Sequence, residues 1–73
     1  MSGEPVYRQL AVIIRSKIES GEYPPGAPLP SAKSMSQEYG ISVGAVTRAV
    51  DAIRAEGLAR TVPGRGVWVI PRL

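Results

Sequence analysis

The side chains of this sequence that can do chemistry are mostly cations and hydroxyls. Nine lysines and arginines stand against six aspartates and glutamates, with no histidine and no cysteine. That composition removes imidazole bases, thiol nucleophiles and the common zinc ligands together. Disulfides are excluded as well, which suits a reducing compartment. The carboxylates Glu19, Glu22, Glu38, Asp51 and Glu56 are scattered over helix faces and ends and read as solubilising charges, not as an acid–base pair. We therefore expect no enzyme, no cofactor and no metal. What remains is binding, and the charge is placed for it. Over residues 1–30, Arg8, Arg15 and Lys17 are cancelled by Glu4, Glu19 and Glu22. Beyond them Lys33, Arg48, Arg54, Arg60, Arg65 and Arg72 outnumber Glu38, Asp51 and Glu56, so the whole net charge of +3 lies there. A one-sided excess suits a polyanion-binding face, although its size is also ordinary for a small soluble domain.

These groups must be positioned by few elements, because 73 residues make one domain with a small core. Pro5 suits the first turn of a helix running to about Ser20, with Tyr7, Leu10, Ile14 and Ile18 as its apolar stripe and Gly21 as its stop. Val12 and Ile13 fall off that stripe. Residues 24–30, Pro-Pro-Gly-Ala-Pro-Leu-Pro, read as a stiff, irregular spacer with Leu29 plugged into the core. Ser31 caps a helix over about 32–39 ended by Gly40, and Ser42 caps another over about 43–56 ended by Gly57. Val46, Val50 and Ile53, with Ala49 beside them, form the buried stripe of the latter. Residues 59–62 and 67–70 read as strands, joined by a turn at Pro63-Gly64-Arg65-Gly66.

Two helices joined by a short glycine-containing turn form a helix-turn-helix, whose second helix enters the DNA major groove. Ser36, Gly40 and Val46 stand at its relative positions 5, 9 and 15. A small residue at 36 lets the helices approach, glycine at 40 allows a positive φ, and valine at 46 fills the angle between them. Any helical hairpin can carry a turn glycine, but the two serine caps and the following hairpin together favour DNA.

The pieces Tyr7-Arg8-Gln9-Leu10, Ser20-Gly21-Glu22-Tyr23-Pro24-Pro25-Gly26, Leu29-Pro30-Ser31, Tyr39-Gly40-Ile41-Ser42, Val46-Thr47-Arg48-Ala49, Glu56-Gly57-Leu58 and Gly64-Arg65-Gly66 resemble the winged-helix DNA-binding domain of the GntR family of bacterial transcription regulators. The resemblance spans Tyr7 to Val69. It implies an α+β winged helix-turn-helix, three helices followed by a two-stranded β-hairpin wing. We place the domain at 5–71, its helix-turn-helix at about 32–56 and its wing at about 59–70.

Roles carry over where residues match. The family's Glu-Arg after Pro-Ser is Ala32-Lys33 here, so the cation stays but the bidentate fork is lost. Lys33 is expected on a phosphate beside the helix start at Ser31. The family's Ser-Arg-Thr-Thr-Val-Arg-Arg is Ser42-Val43-Gly44-Ala45-Val46-Thr47-Arg48, which weakens charged base readout. Val43 and Ala45 can meet thymine methyls, and Ser42 and Thr47 can reach phosphates or base edges. Gly44 costs about 1 kcal/mol of helix stability, offset by close approach of backbone to DNA. Val43 could instead be core, three residues before Val46. Arg48 is the strongest single contact candidate, with Asp51 as a competing ion-pair partner. At the wing tip Gly64 and Gly66 free the backbone and Arg65 enters the minor groove or holds a phosphate. Arg60 at the strand base reaches phosphate, and Arg54 and Arg72 are assigned no contact.

A single such module makes about four to six phosphate contacts, and most helix-turn-helix proteins bind as dimers. The extra apolar residues Val12 and Ile13, or Val67 and Val69 on the hairpin face opposite Trp68 and Ile70, are candidates for a homodimer surface. The reading is a sequence-specific, double-stranded DNA-binding regulator, a repressor acting by promoter occupancy. The rivals are a winged-helix protein–protein module and a DNA-binding fragment of a larger ligand-responsive regulator. Met1 and the ending Pro71-Arg72-Leu73 favour a natural stand-alone chain, for which no small-molecule effector is expected. Residues 10–14 and 67–70 are the longest apolar runs, well short of the roughly 20 needed to span a bilayer. With no secretion signal at the N-terminus, the expected place is cytoplasmic, on the nucleoid and away from membranes.

Overall fold

The computed structural model describes residues 5–71 as three helices and one antiparallel hairpin. The readings placed on residues 1–4 and on Arg72 fall outside the described residues. Helix α1 spans Val6–Ser20, α2 Ala32–Tyr39 and α3 Val43–Ala55; strand β1 spans Ala59–Val62 and β2 Gly66–Val69. Local chemistry accounts for these ends. Pro5 stands just before α1 in extended conformation, not inside its first turn, and its carbonyl accepts the amides of Arg8 and Gln9. The Ser31 and Ser42 hydroxyls each accept a backbone amide, from Ser34 and Ala45 at 3.0 Å. Gly40 sits at φ 67° and stops α2 where a side chain would be strained.

The core lies between α1, α2 and α3, closed at one end by the hairpin. Leu10, Ile14 and Ile18 of α1 meet Met35 of α2, Val46, Ala49 and Ile53 of α3, and Ala59 and Val69 of the wing. Each large apolar side chain so buried contributes about 1.5–3 kcal/mol. Leu29 is buried with them, as expected. Val50 is only half-buried, at the edge of α3 facing the wing. Ser36 is half-buried and does more than stay small: its hydroxyl donates to the Ile41 carbonyl across the turn.

The proline-rich connector carries no helix or strand, as expected, but its backbone pairs with β2, which was not foreseen. Gly26 N–H donates to the Val69 carbonyl at 2.9 Å, Val69 N–H to Ala27 at 2.9 Å, and Leu29 N–H to Val67 at 2.8 Å. Pro28 falls opposite Trp68, where no ladder donor is required, so proline is tolerated. β2 is thereby flanked on both edges, by β1 and by the connector. One expectation is corrected: Val67 and Val69 do not form an exposed apolar face, because that face of the hairpin packs on the core. Val69 is a core residue and Val67 is half-buried, which withdraws them as a homodimer surface.

Candidate nucleic-acid interface

Three elements converge on one groove. The start of α2 supplies Pro30, Ser31 and Ala32, α3 supplies Thr47, Asp51 and Arg54, and the wing supplies Arg65 and Gly66. Leu29, Val50 and Val67 complete its lining, and its volume is about 400 Å³. The outer side of α3 is not packed against the body. Ser42, Val43, Gly44, Thr47 and Arg48 are all exposed, and Val43 retains 48% of its surface, so it is not a core residue. Ala45 is half-buried, turned partly from that face. Gly44 has helical backbone and open space where a Cβ would stand, the Ser42 Oγ at 3.9 Å being the nearest atom. Nothing inside the molecule calls for glycine there. The Thr47 hydroxyl donates to the Val43 carbonyl at 3.0 Å, which leaves its oxygen free to accept.

The wing tip is tight. Gly64 and Gly66 have φ of 74° and 94°, Arg65 N–H donates to Val62 at 2.9 Å, and the Trp68 indole N–H donates to the Arg65 carbonyl at 3.1 Å. The Arg65 side chain therefore projects from a braced loop. Arg60 is exposed on β1, in register with Trp68. Lys33 is exposed on the first turn of α2.

Cations divide into two groups. Arg15 reaches across to Glu56 in a two-pronged contact at 2.8 and 2.5 Å, and Lys17 pairs with Glu22 at 3.3 Å. Hydrogen bonding to Arg15 holds the Glu56 carboxyl below its ordinary pKa, and the same contact raises Arg15. Lys17 is raised by the Tyr39 hydroxyl first and Glu22 second, and it lies over the rings of Tyr23 and Tyr39. The buried Tyr39 oxygen sits beside this ammonium without a regularly formed hydrogen bond. Arg54 binds Asp51 at 3.1 Å and the Thr61 hydroxyl at 2.6 Å, tying α3 to β1. Asp51 is thus Arg54's partner and not Arg48's. An acid preceding the base along the helix is the better orientation, which explains the choice. Glu22, Asp51 and Glu56 are accordingly braces as well as solubilising charges. Lys33, Arg60 and Arg65 form no ion pair among the described residues, and Arg48 lies over the ring of Tyr7, 4.6 Å from its centroid. Among the described residues, Lys33 on α2, Arg48 on the outer side of α3, and Arg60 and Arg65 on the wing have no acid partner.

Residues 6–69 match the family model described as bacterial regulatory proteins, gntR family. The chain belongs to the GntR family. Among its relatives is the HTH-type transcriptional repressor NagR of Bacillus subtilis, 35% identical over 65 residues, which cover 89% of this chain and 27% of that protein. The HTH-type pyridoxine biosynthesis transcriptional regulator PdxR of Corynebacterium glutamicum is 40% identical over 65 residues, 89% of this chain and 14% of that protein. The chain thus spans well under a third of the length of these GntR relatives. Among solved structures, AraR(DBD) in complex with operator ORX1 superposes with a TM-score of 0.85 at 29% identity, covering 90% of this chain and 80% of that one. The fold is the winged helix of GntR DNA-binding domains. Tyr7, as the partner of Arg48, was not foreseen as a site residue. It lies 41 positions away in sequence, and its place on the apolar stripe of α1 signalled only core packing.

Proposed function

We propose that this chain is the module by which a GntR regulator binds double-stranded DNA in a sequence-specific way, and that it acts as a repressor by occupying a promoter. The observation that supports this best is the exposed outer side of α3 at Val43, Gly44, Thr47 and Arg48, with Thr47 and Arg65 of the wing lining one groove. Lys33, Arg48, Arg60 and Arg65 have no acid partner among the described residues. Val43, Gly44 and Thr47 face the major groove, with Ser42 and Ala45 at the helix start flanking them. Lys33, Ser31 and Arg60 hold phosphates, Arg48 makes the strongest contact from α3, and Gly64, Arg65 and Gly66 bring the wing against the minor groove or backbone. The relative named a repressor and the neighbour crystallised on an operator support the same reading. Binding is the whole activity of this domain, which carries out no catalysis and works in the cytoplasm on the nucleoid.

The test is selection of duplexes from a random pool, followed by affinity measured across salt. Four to six phosphate contacts give a fall on the order of 10²–10³ in affinity between 50 and 200 mM salt. A chain with no salt-dependent DNA binding is a protein–protein module, a reading favoured by the exposed Val43. Pairing of two copies through Val12 and Ile13, which stay 52% and 38% exposed, would appear as two-fold symmetry in the selected sites.

A further inference from the structure

We infer that Tyr7 is a positioning residue for DNA recognition, its ring holding the Arg48 guanidinium on the outer side of α3 in the arrangement that meets the duplex. This rests on the DNA-binding reading above. The Arg48 guanidinium carbon lies over the Tyr7 ring at 4.6 Å from the centroid, inside the range of cation–π attraction. Tyr7 is half-buried and packed on the core from the first turn of α1, so the ring is fixed by the body of the protein. Pro5 sets that turn, its carbonyl accepting the amides of Arg8 and Gln9.

What the ring offers differs from what a carboxylate would offer. An ion pair would have to be broken before Arg48 met a phosphate or a base. Asp51, the acid three residues on, is instead taken by Arg54. A π face orients the guanidinium while leaving its charge uncancelled and its N–H donors unspent. No hydrogen bond or ion pair engages the Arg48 side chain among the described residues. An exposed arginine gives up considerable rotamer freedom when it is fixed on a ligand. The Tyr7 ring imposes that restriction before DNA arrives, which is preorganisation. An α3 with one remaining cation on its outer side gains most from holding it in place.

The experiment is a double-mutant cycle on a duplex selected by the wild-type chain, read by anisotropy across salt, with melting curves for every variant. Tyr7→Leu should weaken binding about two- to fivefold, and Tyr7→Phe should bind as wild type. Adding Tyr7→Leu to Arg48→Ala should weaken binding no further. Three results overturn the inference: Tyr7→Leu without effect or with tighter binding, Tyr7→Phe as weak as Tyr7→Leu, or losses that multiply in the double variant. Should Tyr7→Leu fail to fold, Tyr7→Trp is read in its place. It keeps a π face, so wild-type affinity or better supports the role and a loss overturns it. A wild-type chain that selects no duplex removes the DNA-binding reading and the positioning role together, whereas multiplying losses remove the positioning role alone.

Discussion

Replacing Gly44 with alanine should move stability and DNA affinity in opposite directions. Gly44 is the second residue of α3, its φ is not positive, and an added methyl would meet only the Ser42 Oγ at 3.9 Å. That is ordinary van der Waals contact, so alanine fits the free protein without strain. Alanine in place of a helical glycine gains about 0.5–1 kcal/mol, partly by narrowing the unfolded ensemble. For a domain of this size the midpoint should rise by about 2–8 °C, measured by circular dichroism of both proteins. In the complex the same methyl would sit on the outer side of α3. If backbone at 44 lies against the duplex, overpacking there costs about 1–3 kcal/mol of binding, measurable by anisotropy on the selected site. A variant that melts higher and binds as well as wild type would refute the close-approach argument. A variant that melts lower would refute the account of the free helix.

The other predictions concern single contacts. Arg65→Ala should cost about 1–3 kcal/mol and relax specificity if the wing reads bases, whereas Lys33→Ala should weaken all sequences alike and lower the salt slope by about one. Ser42→Ala removes the acceptor of the Ala45 amide and should cost about 0.5–2 kcal/mol in a melt. Glu56→Gln tests the brace to Arg15. The folded Glu56 carboxyl titrates below its ordinary value of 4.5, so its contribution is present above that value and is lost as pH falls through the lower one. Wild type should therefore out-melt the variant at neutral pH, and the gap should close in acid. A gap independent of pH would separate the variant's effect from the ion pair.

Local signals made the helical part of the fold legible. Ser31 and Gly40 bound α2 at the residues expected, and Ser42 starts α3 as expected. α3 ends at Ala55, one residue early, with Glu56 and Gly57 forming the turn, and β2 begins at Gly66 instead of Val67. What segment 26–29 concealed was its pairing with β2. Its pairing uses backbone groups, which leave no side-chain period in the sequence, and the prolines that argue against a strand fall where no donor is needed. Val69 was misplaced for a related reason. Alternation tells which strand residues share a face, but it does not tell which face turns inward. The long-range partners Arg15 with Glu56, and Tyr7 with Arg48, had no local signal at all.

This division bears on how the site works. An α3 carrying an arginine at its start could read bases from one rigid element. Here the cations sit on α2, α3, β1 and the wing tip, so their spacing depends on how those elements are held together. The connector ladder fixes β2 relative to the start of α2, and Arg54 joins α3 to Thr61 of β1. A substitution that loosens either link would displace Arg65 relative to Lys33 without touching a single contact residue. Affinity in such a protein should thus be sensitive at Thr61 and along residues 26–29, positions where no side chain is assigned to the DNA.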